Sequence, residues 1–169
     1  MINFKLFAIL SFISVVNIHP QWTNQNPVPD GNDLWSTFFV DDNTGWIVGS
    51  DGFIKKTTNS GLDWIQQKSG TTLTLKSIQF TNLNIGWICG EEGIILKTTN
   101  GGLNWSSLMS GTIENLTDIQ FCDANTGYIV GYSGTILKTT NGGLSWTSQT
   151  SNTISDLFSV DFVDNFVGY

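Results

Sequence analysis

Thr98-Thr-Asn-Gly-Gly-Leu-Asn-Trp105 is the middle one of three near-copies, with Thr57-Thr-Asn-Ser-Gly-Leu-Asp-Trp64 and Thr139-Thr-Asn-Gly-Gly-Leu-Ser-Trp146 each 41 residues away. A second ladder runs in the same register: Gly45-Trp46-Ile47-Val48-Gly49, Gly86-Trp87-Ile88-Cys89-Gly90 and Gly127-Tyr128-Ile129-Val130-Gly131, with Gly168-Tyr169 opening a fourth rung. Phe39, Phe80, Phe121 and Phe162 form a third. Three ladders in one register make the chain a repeat array, and the period has to be read before any single element.

Each unit carries four strand signals. Thr117-Asp-Ile119-Gln-Phe121 alternates apolar and polar residues, the two-residue period of a half-buried strand. The Gly-Trp-Ile-Val-Gly run is apolar on both faces and is expected between layers. Asp51-Gly52, Glu92-Gly93 and Ser133-Gly134 read as two-residue hairpin turns into a third strand such as Ile94-Ile-Leu-Lys97. The Thr-Thr-Asn segment then turns the chain into a fourth strand near the Trp. Four strands in about 40 residues is the size of a propeller blade. The expected architecture is therefore an all-β, incomplete β-propeller over residues 21–169, with an outer strand and linker at 21–33, blades at 34–72, 73–113 and 114–154, and the start of another at 155–169. Three blades cannot close a ring, so the sequence predicts a piece of a longer chain, or self-association if it is made alone.

Thr-x-Asn-x-Gly-x-x-Trp resembles the Asp-box of bacterial neuraminidase repeats, with Asn in place of the usual Asp. Together with the Gly-Trp-x-x-Gly strand, it resembles the propeller of the photosystem II assembly and stability factors. The resemblance runs from Gln21 to Tyr169 and implies a fold more than a function, because such propellers serve enzymes, assembly factors and adhesin-like proteins alike. Within the box the residues read as scaffold. Asn59, Asn100 and Asn141 are expected to cap their own turns, Gly61, Gly102 and Gly143 to supply a positive φ, and Trp64, Trp105 and Trp146 to pack beneath.

Composition narrows the function. The chain has 14 acidic residues against 7 Lys, no Arg, and a single His, His19. A net charge of −7 without Arg argues against nucleic acid as a partner. The resemblance implies an Arg cluster for neuraminidase activity and a basic, Arg-containing face for the assembly factors; neither carries over. With His19 at the chain start, no Ser-His-Asp or Cys-His arrangement and no ordinary His-based metal site can be assembled, and neither metal nor cofactor is expected. Carboxylate chemistry survives. Asp118 and Asp161 fall on innermost strands and would be the pair for a glycan-active enzyme, although solvated polar positions are the commoner meaning of such residues.

The favoured reading is a non-catalytic binding or scaffolding module for a protein or glycan ligand. Its candidate binding residues are Asp51, Glu91, Glu92, Glu114 and Asp156, on the face shared by the hairpin tips and the blade-to-blade linkers. Lys56, Lys97 and Lys138 form a third-strand column that reads as edge protection. Cys89 and Cys122 read as two buried free thiols. Met1-Ile-Asn-Phe-Lys5 followed by the short apolar run Leu6–Val16 reads as a signal peptide over residues 1–20, placing the protein outside the cytoplasm as a secreted, periplasmic or cell-surface species. No later stretch is a transmembrane segment.

Overall fold

The computed structural model describes residues 31–163 and 167–168, so the expected signal peptide at 1–20 and most of the expected outer strand and linker at 21–33 lie outside the described residues. Each 41-residue unit folds into one antiparallel sheet. The first holds β1 (Leu34–Phe39), β2 (Gly45–Gly49), β3 (Ile54–Thr57) and β4 (Ile65–Gln67) in that order. The second holds β5 (Leu75–Phe80), β6 (Gly86–Gly90), β7 (Ile95–Thr98) and β8 (Ser106–Leu108). The third holds β9 (Leu116–Phe121), β10 (Gly127–Gly131), β11 (Ile136–Thr139) and β12 (Thr147–Ser148). A bridge between Phe162 and Gly168 begins the same pattern a fourth time. No α-helix occurs among the described residues.

The turn between β2 and β3 explains why each sheet is a meander. Asp51 and Gly52 both have positive φ, 55° and 67°, and the Phe53 N–H donates to the Ser50 carbonyl at 3.0 Å. That left-handed turn has the hand that matches strand twist. The same turn recurs at Glu92-Gly93 and Ser133-Gly134.

The sheets face one another, and the core lies between them. Trp46, Val48 and Ile54 of the first sheet meet Leu75, Ile78, Phe80, Ile88 and Leu96 of the second, all buried. Trp87, Cys89 and Ile95 meet Leu116, Ile119, Phe121, Ile129 and Leu137 in the same way. At the centre of each contact two rings stack. Trp46 and Phe80 have centroids 3.6 Å apart, Trp87 and Phe121 3.7 Å, Tyr128 and Phe162 3.9 Å. Such a pair contributes about 0.5–1.5 kcal/mol beyond its buried area.

The same geometry accounts for two of the sequence ladders together. Phe80 pairs across the sheet with Gly86, and a Cβ on Gly86 would sit 2.6 Å from the Phe80 ring. The ring lies flat over the glycine to reach the neighbouring blade's Trp. Phe and Gly are thus one device written at two positions.

Two expectations need correction. Lys56 and Lys97, two of the three lysines in the third-strand column, are not edge protection. Lys56 Nζ lies 4.9 Å from the centroid of the Trp46 ring and donates to the Gly101 carbonyl of the next blade at 3.1 Å. Lys97 does the same over Trp87, with 2.7 Å to the Gly142 carbonyl. Burial lowers the pKa of both amines below the ordinary lysine value. These lysines join blades. Nor are both thiols buried: the two cysteines are free, but only Cys89 is fully enclosed and Cys122 is half-buried.

Candidate functional site

The two ends of a blade differ in what their polar atoms do. At one end lies the Thr-Asn-Gly turn. Buried Thr57 accepts from Gly61 N–H at 2.9 Å and donates to Asn59 Oδ1 at 3.0 Å. Asn59 Oδ1 also accepts from Asp63 N–H at 2.9 Å, and Asn59 Nδ2 donates to Asp63 Oδ2. Asn100 and Asn141 accept from Asn104 and Ser145 N–H in the same way, each at 3.0 Å. Gly61, Gly102 and Gly143 have φ of 84°, 86° and 82°. Trp64, Trp105 and Trp146 are half-buried and meet Phe39, Phe80 and Phe121 edge-on at about 6 Å. The side-chain amides and hydroxyls here are spent on the turn itself. The threonine at its centre went unassigned in the sequence reading, although Thr57, Thr98 and Thr139 repeat without change.

At the other end are the hairpin tips and linkers. Asp51 and Glu92 are exposed at the turn positions. The Glu92 N–H donates to Asn115 Oδ1 at 3.0 Å, and in the next blade the Ser133 N–H donates to Asp156 Oδ1 at 3.0 Å. Ser133 Oγ donates to Glu114 Oε2 at 3.3 Å. Glu91 accepts from Thr74 N–H and lies 3.7 Å from Lys76 Nζ. The structure therefore joins Glu114 and Asp156 through Ser133, and Glu91 to Lys76. Among the described residues, no three His, Cys, Asp or Glu converge as a metal site would require.

Asp118, on β9, is held from one side by β5 and from the other by the segment at 159–160. Its Oδ1 accepts from Ser77 Oγ at 2.7 Å and from Ile119 N–H at 3.0 Å. Its Oδ2 accepts from Ser159 Oγ and from Val160 N–H, each at 2.9 Å. All four lone-pair positions of the carboxylate are filled. Asp161 accepts from Gln120 Nε2 at 2.9 Å. The nearby Gln79 amide donates to the Phe121 carbonyl while its oxygen accepts the Phe121 N–H. Asp118 and Asp161 are thus held in a ladder of inter-blade hydrogen bonds.

One feature of the inner strands escaped the sequence reading. Pairing between first and second strands breaks register at the same place in every blade, between Leu34 and Ser36, between Leu75 and Ser77, and opposite Val130 and Gly131. The extra residue of each bulge is Trp35, Lys76 and Thr117, and Phe158 occupies the next place in the repeat. Trp35 is 53 % exposed and Phe158 68 %. The available signal was a column that changes chemical class at every unit while its neighbours Leu34, Leu75, Leu116 and Leu157 do not change at all.

Stacked four-stranded meanders joined first strand to first strand define a stretch of β-propeller. The chain belongs to the family described as photosynthesis system II assembly factor YCF48, whose model matches residues 17–112 and 108–167. Among solved structures it is similar to YCF48 bound to D1 peptide, with 25% identity and a TM-score of 0.68 over 76% of this chain and 43% of that one. It is also similar to YCF48 from Cyanidioschyzon merolae, with 26% identity and a TM-score of 0.65 over 76% of this chain and 40% of that one. The chain therefore spans less than half the length of these proteins. A GH74 enzyme from Niastella koreensis, at 19% identity and a TM-score of 0.59 over 70% of this chain and 23% of that one, shares the fold. No curated protein matches the chain in sequence.

Proposed function

We propose that the chain is a non-catalytic, polypeptide-binding part of a longer propeller, exported to the periplasm, the cell surface or the medium. The observation that carries it is the state of Asp118. The best-placed candidate for acid–base work has all four of its acceptor sites occupied by Ser77, Ile119, Ser159 and Val160, and neither a further His nor any Arg stands beside it. A general base must be within reach of the proton it takes, with a lone pair to receive it. A polypeptide is the ligand class supported by the family, one relative of which is described as bound to D1 peptide. The missing Arg and the net charge of −7 make the ligand a neutral or basic segment.

The test uses the full chain against immobilised peptides and against model glycosides. Saturable peptide binding with no glycoside turnover is expected. Turnover that is lost in Asp118→Asn, with folding intact, would refute the reading. Recovery from the periplasm or medium of a form cleaved near Gln21 checks export.

A further inference from the structure

We propose that Asn100 and Asn141 are sites of self-modification, deamidating to aspartate or isoaspartate at a rate set by the lysine crossing that holds each turn. The proposal stands apart from the polypeptide-binding reading above.

The chemistry needs only the chain and water. The backbone nitrogen of the residue after an asparagine adds to the side-chain Cγ, and a five-membered succinimide closes. The proton of that nitrogen leaves with the side-chain amide nitrogen as ammonia. Water then opens the ring at one carbonyl or the other, giving aspartate or isoaspartate, each with one new carboxylate. A following glycine favours the attack, because no Cβ crowds the nitrogen. The chain has two Asn-Gly pairs, Asn100-Gly101 and Asn141-Gly142, both inside the repeated turn, whereas the first turn has Asn59-Ser60.

Blade stacking is what requires those glycines. A Cβ on Gly101 would come within 2.8 Å of the Leu83 carbonyl oxygen and 3.0 Å of Lys56 Nζ, the amine that crosses from the blade before. A Cβ on Gly142 would lie 3.0 Å from the Ala124 carbonyl oxygen and 3.6 Å from Lys97 Nζ. The contact that joins the blades therefore places the most reactive neighbour after these two asparagines.

The folded turn withholds the reaction. Gly101 N–H donates to the Asn84 carbonyl at 2.9 Å, and Gly142 N–H to the Asn125 carbonyl at 2.8 Å. Each carboxamide is pinned at Oδ1, by Thr98 Oγ1 and Asn104 N–H in one turn and by Thr139 Oγ1 and Ser145 N–H in the other. The lysine holds the same glycine by its carbonyl. Attack waits for the turn to open, so its rate follows the fraction of time the turn is open.

The aspartate product fits where it forms. At 100 or 141 it keeps both donors on Oδ1, and the residue four positions on is Asn104 or Ser145, neither of them charged. At 59 the side-chain Nδ2 donates to the Asp63 carboxylate at 2.9 Å, so an aspartate there would set two carboxylates against each other. The turn whose product would clash is the one without the glycine.

The test incubates the full chain at mildly alkaline pH, folded and in urea, and maps the sites by mass spectrometry of peptides cut after Lys97 and Lys138. In urea, Asn100 and Asn141 should convert ahead of Asn59. In the folded chain both should convert at least about ten-fold more slowly than in urea. Lys97→Met should speed Asn141 in the folded chain about ten-fold and leave Asn100 as it was, and Lys56→Met should do the reverse. Asn100→Asp should leave the thermal unfolding midpoint in place. Asn59→Asp should lower it by about 2–4 °C at neutral pH, a loss that shrinks as the carboxylates are protonated. Conversion as fast in the folded chain as in urea, or equal acceleration of both sites by either lysine substitution, overturns the proposal. So does an unfolding midpoint that Asn100→Asp lowers as far as Asn59→Asp.

Discussion

The contact between the first and second blades and the contact between the second and third are built to one plan and wired differently. In both, a lysine crosses to a turn carbonyl of the following blade: Lys56 to Gly101, Lys97 to Gly142. A carbonyl has room for two donors. In the first contact the second donor is Gln67 Nε2, at 3.3 Å, and the indole N–H of Trp46 is left buried without a partner, as is Gln67 Oε1. In the second contact the place of Gln67 is taken by Leu108. The carbonyl is then free for the indole of Trp87, which donates at 3.1 Å. One residue at the rim of the sheet decides which buried donor is satisfied. The lesson is that blade contacts tolerate sequence drift as long as the carbonyl keeps two donors, but they do not tolerate it at equal energy.

The largest effect should come from Trp87→Ala. It removes the stacked ring and a buried hydrogen bond and should cost about 3–5 kcal/mol in chemical denaturation, more than Trp46→Ala, which removes only the ring. Equal losses at the two sites would mean that the indole hydrogen bond contributes nothing. Lys97→Met should follow, at about 1.5–3 kcal/mol for a charge-assisted bond, with Lys56→Met no more costly, since the Lys97 bond is the shorter. Gln67→Leu is expected to stabilise the protein by about 1–2 kcal/mol, because it deletes one orphan acceptor and hands the Gly101 carbonyl to Trp46. A loss on that substitution would break the comparison. The smallest effect at neutral pH belongs to Cys89→Val, which copies Val48 from the first contact. Burial, with the Asp118 charge added, pushes the Cys89 thiol well above its ordinary pKa. The unfolded chain releases that proton from about pH 8.5 upward while the native chain retains it, so wild-type stability falls with rising pH in that window by about 1.4 kcal/mol per unit. The valine variant should lose less, and the gap between the two denaturation curves should open only on the alkaline side.

The blades were legible because their signals are local. Gly52 with its positive φ, the alternation in β9 and the Thr-Asn-Gly turn are each decided within about ten residues. What crosses between blades was not legible. Lys56, Lys97 and Lys138 look like a surface column in one dimension, and only the stacking of sheets shows that the first two reach over a tryptophan to another blade's backbone. Asp118 drew attention as a possible acid because it falls, with Asp161, on the innermost strands, where a carboxylate pair could act together. The structure shows that an acceptor is needed between Ser77 and Ser159, which both offer hydroxyls to it. The bulge residues were missed for the opposite reason: pattern reading rewards positions that repeat, and Trp35, Lys76 and Thr117 do not.

The lysine crossing also gives the array a direction in time. Lys56 and its acceptor are separated by 45 residues, as are Lys97 and its own. At a synthesis rate of about 5–20 residues per second, the lysine of each blade is made roughly 2–9 s before the residue whose backbone carbonyl will accept a hydrogen bond from its half-buried amine. A blade that folded in that interval would have a closed sheet but an open flank, with its tryptophan and its lysine facing water. Each newly made turn would then seal the blade before it, and until it did so the flank at the growing end would be open to a chaperone or to a wrong partner carrying the same turn.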